Sequence, residues 1–205
     1  MEDKKMKKIL AISLALILLV CFAACGGNTS KVEAYEGELS AVIASIYEKQ
    51  PVEFMTCEAM PVELSDPWSV NAYLGFPVDE NVTDGTIIKT GLKEAFFSES
   101  MIGAQAYSLV VARVEDADKI EEIKKTMFEN INTRKWICVE ADQLRVVSCK
   151  DIIMLVMVSS QLAPGLADGM VDAFAEVISG QSKATDGNAT NGNASVLSGE
   201  ILTRG

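Results

Sequence analysis

The chain has 205 residues, of which 18 are basic and 29 acidic, giving a net charge of -11 and no histidine at all. That length suits one folded domain with a substantial core and leaves two cramped. The acidic balance, with no basic stripe beyond the first residues, excludes nucleic acid as a partner, and the missing imidazole excludes Ser-His-Asp and Cys-His catalysis and histidine-containing zinc sites.

Residues 1–24 have the three parts of an export signal: the basic cluster Lys4, Lys5, Lys7 and Lys8, an apolar run from Ile9 to Val20, and a small-residue end. A transmembrane helix is the competing reading. The apolar run, even extended through Cys21 and Phe22 to Ala24, falls short of the roughly 20 residues needed to span hydrocarbon. The stretch Phe22-Ala23-Ala24-Cys25-Gly26-Gly27 resembles the lipobox of bacterial lipoproteins, with Phe22 where leucine is usual. The resemblance implies cleavage before Cys25 and lipid attachment to its thiol. Each buried methylene contributes about 0.8 kcal/mol, and two acyl chains anchor stably where one is marginal. An acidic body is repelled by anionic headgroups, so at a membrane the lipid must hold it. The expected location is the extracytoplasmic face of the cell membrane.

Residues 25–37 are expected to form a tether, its first part, Gly26 to Lys31, being small and polar. A single domain is expected over residues 38–180. Leu39, Val42, Ile43, Ile46 and Tyr47 follow the spacing of one helix face, and the helix ends before Pro51. Asp66, Pro67 and Gly75 mark the cap, first position and stop of a second, short helix, with Trp68 and Tyr73 as packing residues. Leu92 to Ser98 and Gln105 to Arg113 read as strands. A helix follows, with Ile120, Ile123, Met127, Phe128 and Ile131 on one face, Asp118 and Glu121 in a capping-box-like spacing, and Glu121 four residues before Lys125.

The order then recurs: strands Leu144 to Cys149 and Ile152 to Ser159 around the Lys150-Asp151 turn, and a helix after Pro164 with Leu166, Met170, Phe174 and Val177 on one face. The expected fold is α+β, with N-terminal helices followed by a ββα-ββα repeat forming an approximately four-stranded sheet packed with helices. Ile152 to Val158 is apolar at every position, which marks a strand covered on both faces. Either the N-terminal helices cover its second face or a partner does, and the helices are the preferred cover. Residues 181–205, rich in Gly, Asn, Ser and Thr and without an aromatic residue, are expected to be a disordered tail whose removal leaves stability unchanged.

The lipobox, the N-terminal helix and the ββα order, with Ala104 to Val114 leading into Glu115-Asp116-Ala117-Asp118-Lys119-Ile120, resemble a group of uncharacterised Gram-positive envelope lipoproteins that carry a domain of unknown function numbered 4358. The resemblance runs from about Leu39 to Ile178. It implies an address and a fold, and it carries over no catalytic residue.

The chain has no G-x-S-x-G elbow, Walker loop, G-x-G-x-x-G or C-x-x-C pair. Beside Cys25, the mature thiols are Cys57, Cys138 and Cys149. Cys57 would need a lysine or a helix N-terminus to activate it, and a Cys138 to Cys149 bridge is left open, subject to geometry. The acidic stretch Asp79 to Gly85 invites a calcium reading, but Gly85 is one place late for an EF-hand loop and Thr90 stands at the bidentate position, so a turn is preferred. Met127, Met154, Met157 and Met170 read as core filling. No catalytic, cofactor-binding or metal-binding residue is assigned; Cys25 is the one assigned site, for lipid. The expected function is a non-catalytic module that binds an envelope protein, peptide or wall component. The alternative is a small hydrolase using carboxylates or a lone thiol.

Overall fold

The computed structural model describes residues 32–79, 88–180, 197 and 199–205, all within the compact unit Val32–Gly205. Cys25, the export segment and the acidic stretch beyond Asp79 lie outside the described residues.

Among the described residues four helices form. Helix α1, Leu39–Lys49, buries Leu39, Val42, Ile43 and Ile46 and stops at Gln50, because the residue before a proline is pushed out of the helical region. Helix α2 is Pro67–Leu74, and the Asp66 carboxylate accepts the Trp68 and Ser69 amides at 3.2 and 3.0 Å. It ends at Gly75, with φ at 72°, where a Cβ would lie 2.7 Å from the Ile131 amide nitrogen. Only glycine lets the end of α2 meet the end of the next helix there. Helix α3, Ile120–Asn130, follows a single 3₁₀ turn over Ala117–Lys119. Helix α4 is Leu166–Ser179.

Among the described residues six strands, β1 (Met60–Pro61), β2 (Leu92–Glu99), β3 (Tyr107–Val114), β4 (Gln143–Cys149), β5 (Ile152–Val158) and β6 (Leu202–Arg204), make one open antiparallel sheet in the order β1-β2-β3-β5-β4-β6. The fold is α+β. The sheet has six strands where about four were expected, because a two-residue and a three-residue strand close its edges.

The apolar strand β5 sits between β3 and β4, and every one of its residues is buried. Its side chains alternate between two cores. Ile152, Met154, Val156 and Val158 join α1 and α4, whereas Ile153, Leu155 and Met157 join residues of α2 and α3. Both faces of β5 are therefore covered by the chain itself. The first helix is a cover, as expected, but it shares its face with α4, and α2 and α3 supply the other.

Several local expectations are corrected. Asp116, rather than Asp118, accepts the turn-opening amide before α3, at 3.0 Å. Glu121 pairs with the buried Lys124, and Lys125 pairs with Glu129. Trp68 is 61% exposed, because it stands on the outer side of a two-turn helix whose inner positions are Val70 and Leu74. Cys57 and Cys138 are free thiols. A Cys138 to Cys149 bridge is not formed, because Cys149 closes β4 while Cys138 precedes the opposite end of that strand.

The two ends of the domain also depart from expectation. Tyr35, assigned to the tether, is already docked: its amide donates to Asp151 at 2.7 Å, and its carbonyl accepts from Arg113 at 2.6 Å. The expected tail ends in structure, since Leu202–Arg204 pairs with Leu144, Arg145 and Val146 and Leu197 is buried against the α1/α4 core. Composition misled there, because a polar stretch averages away the short apolar run Ile201-Leu202.

Candidate functional site

Strand direction gives the sheet two distinct ends. At one, Arg113 near the close of β3 bonds Glu94, Asp151 and the carbonyls of Tyr35 and Gly37, so this is where the chain enters the domain. At the other, three loops gather: residues 51–59 after α1, residues 100–106 between β2 and β3, and residues 131–142 before β4. Backbone hydrogen bonds tie them together. The Met101 amide donates to the Met55 carbonyl and the Ile137 amide to the Gly103 carbonyl, both at 3.0 Å.

Beneath these loops runs a chain of polar groups. The Tyr107 hydroxyl donates to Tyr47, Tyr47 to Ser98 Oγ, and Ser98 Oγ to the Cys57 carbonyl, at 3.1, 2.8 and 2.6 Å. Burial raises both phenols above their ordinary value, Tyr107 well above it, so both stay protonated and serve as donors. The Glu99 amide donates to Cys57 Sγ at 3.2 Å. Cys57, with Tyr47 and Thr56, lines an open groove of about 470 Å³. A second groove of about 380 Å³ runs between Gln50–Phe54 and Leu162–Leu166.

Lys135 braces the third loop. It forms an ion pair with Glu99, lies 4.6 Å from the Tyr73 ring centroid and 5.4 Å from that of Trp136, and donates to the Ala72 carbonyl at 3.1 Å. Burial lowers its pKa, and Glu99 opposes that shift. Ser108 Oγ is 3.4 Å from the ammonium, but Ser108 is fully buried, so no substrate reaches that pair. The arrangement therefore ties the third loop to α2, β2 and β3; its members come from four separate segments, and no sequence spacing announces it.

What the end presents outward is apolar. Met55, Met101 and Ile137 are 65, 64 and 71% exposed, and Ile102 joins them. Large aliphatic side chains clustered on tied loops, rather than scattered singly, are the mark of a contact surface. Sequence reading missed them because each sits in a loop without periodicity. Cys57 lies beside this end and the exposed Cys138 follows Ile137, while Cys149 is buried at the entry end. Among the described residues no cluster of carboxylates or thiols is arranged to hold a metal, and no helix is long and apolar enough to cross a membrane. No protein-family model, curated protein or solved structure matches the chain.

Proposed function

We propose that the chain is an extracytoplasmic lipoprotein, held to the membrane by lipid on Cys25, whose domain is a binding module that grips another envelope protein with its loop end. The carrying observation is the exposed set Met55, Met101, Ile102 and Ile137 on three mutually bonded loops. The chain enters the domain at the opposite end, beside Arg113 and Asp151, so the apolar loops are not at the end that the preceding residues join. Methionine adapts to irregular apolar partners, whereas aliphatic side chains offer a hydroxyl-rich wall polymer no hydrogen bonds. A protein partner is therefore favoured. The resemblance to lipoproteins with the domain numbered 4358 belongs to this reading, as does a chain built of N-terminal helices and two ββα units. The order β2β3α3β4β5α4 supports the units. Their helices pack on opposite faces of the sheet, so one unit is not a rotated copy of the other.

The test has two arms in the native host. Cys25→Ala should abolish incorporation of labelled fatty acid and release the protein from membranes. A photo-crosslinking residue at position 137 should capture a defined partner that the same residue at the exposed position 125 does not. Equal lipid labelling in the variant would refute the anchor, and identical crosslinks at both positions would refute the docking end.

A further inference from the structure

We propose that the segment Gly199–Gly205 is an exchangeable strand, and that the edge of β4 accepts the same segment from a second copy of the chain, giving a reciprocal strand-swapped dimer. The edge is built to hold an extended peptide by its main chain. Strand β6 pairs with β4 in antiparallel register, Leu144 opposite Arg204 and Val146 opposite Leu202. Two cations from the domain then grasp carbonyls of the incoming strand: Lys124 Nζ donates to Glu200 O at 2.6 Å, and Arg145 Nη1 donates to Arg204 O at 3.1 Å. Lys124 also pairs with Glu121 at 3.0 Å and Arg145 with Asp168 at 2.8 Å, so both donors are held by the domain as well as by the strand. Ile201 packs toward the α1/α4 core and Leu202 toward the α2/α3 core, so the strand closes both at once. Arg204 in turn reaches the Phe128 carbonyl at 3.3 Å and lies 5.0 Å from its ring centroid.

The case for a second copy is that these contacts are the same whichever chain supplies the strand. Nothing in β4, Lys124 or Arg145 senses the covalent path back to α4. Residues 181–196 separate Gly180 from Leu197, and fully extended they reach about 53 to 58 Å, roughly twice the length of an eight-residue strand. Exchange is therefore decided by protein concentration against the effective concentration of the chain's own strand, which for a connection of this kind is on the order of 1 mM. With equal contacts in both arrangements, about half of the chains are swapped at about 1 mM and about 2% at about 10 μM. Reciprocal exchange closes as a two-fold pair, because each copy donates one strand and accepts one.

Both hydrophobic cores lie within residues 32–205, so that stretch is the protein to test. It is refolded at about 1 mM and at about 10 μM, then passed at once over a sizing column with light-scattering detection. The expected result is a dimer fraction near one half after refolding at high concentration and near zero at low. Leu202→Asp and Thr203→Pro, which spoil the strand by burying charge or by removing an amide, should each refold as monomers at both concentrations. Circular dichroism identifies a variant that has lost its fold, and the other variant then decides. A wild-type protein that stays monomeric at about 1 mM would overturn the proposal. So would a dimer that persists in a folded strand variant, since its interface would then lie elsewhere.

Discussion

Val156 and Met157 are neighbours on β5 with no exposed surface, yet they enter different cores: Val156 faces α1 and α4, and Met157 faces α2 and α3. Replacing either with aspartate removes an apolar side chain whose burial is worth about 1.5 to 3 kcal/mol. It also places a carboxyl where nothing pairs with it, at about 2 to 7 kcal/mol. The total, on the order of 4 to 10 kcal/mol, rivals the whole stability of an ordinary domain at about 5 to 15 kcal/mol. Both variants should therefore be unfolded or barely folded in urea melts of residues 32–205. The effect has a definite pH sign. Burial raises the folded-state pKa of the new carboxyl above its unfolded value near about 4, so the unfolded chain releases the proton first and stability falls as pH rises through that window. Acid should partly rescue each variant. If either one kept the wild-type midpoint, that face of β5 would not be covered as described, and a dimer-to-monomer change at full stability would assign the face to a partner.

Truncation after Gly180 should lower stability by about 3 kcal/mol or more, because the carbonyl partners that β6 gives Lys124 and Arg145 are bonds to charged donors worth about 1.5 to 3 kcal/mol each; an unchanged urea midpoint would refute the docking of β6. In alkali, the contribution of Tyr47 and Tyr107 is complete below the ordinary phenol value of 10.0 and is lost as pH rises through their raised folded-state values. Ultraviolet titration of the native protein should show both ionising late, and Tyr107→Phe should make the alkaline loss of stability shallower; ionisation of Tyr107 at the ordinary value would contradict its burial.

Much of the fold was legible because it rests on local periodicity. The helix face from Leu39 to Ile46, the Asp66 cap with Gly75, and the unbroken run from Ile152 to Val158 each signal their own structure within a dozen residues. The distribution of helices over two faces was not legible, since it depends on which parity of each strand meets which helix. Strand β6 escaped notice because its stability comes from Lys124 and Arg145, far away in the chain. The loop end was hidden for a similar reason: Glu99, Lys135 and Tyr73 become neighbours only after folding, and Met55, Met101 and Ile137 carry no pattern in sequence. The lipid site proposed at Cys25 is the reverse case, read from a six-residue stretch and from nothing that depends on the fold.

Strand β6 follows the other described elements along the chain, and its partner β4 is more than fifty positions upstream. Whenever the protein emerges from its N-terminal side, the hairpin of β4 and β5 is complete while the outer edge of β4 still stands open. An open edge beside so apolar a strand is a template for pairing with any other extended chain. The hazard is therefore one of timing, set by the interval between the emergence of Cys149 and that of Leu202. Slower delivery of Leu202–Arg204 would lengthen that interval and raise aggregation without altering a single contact of the finished fold.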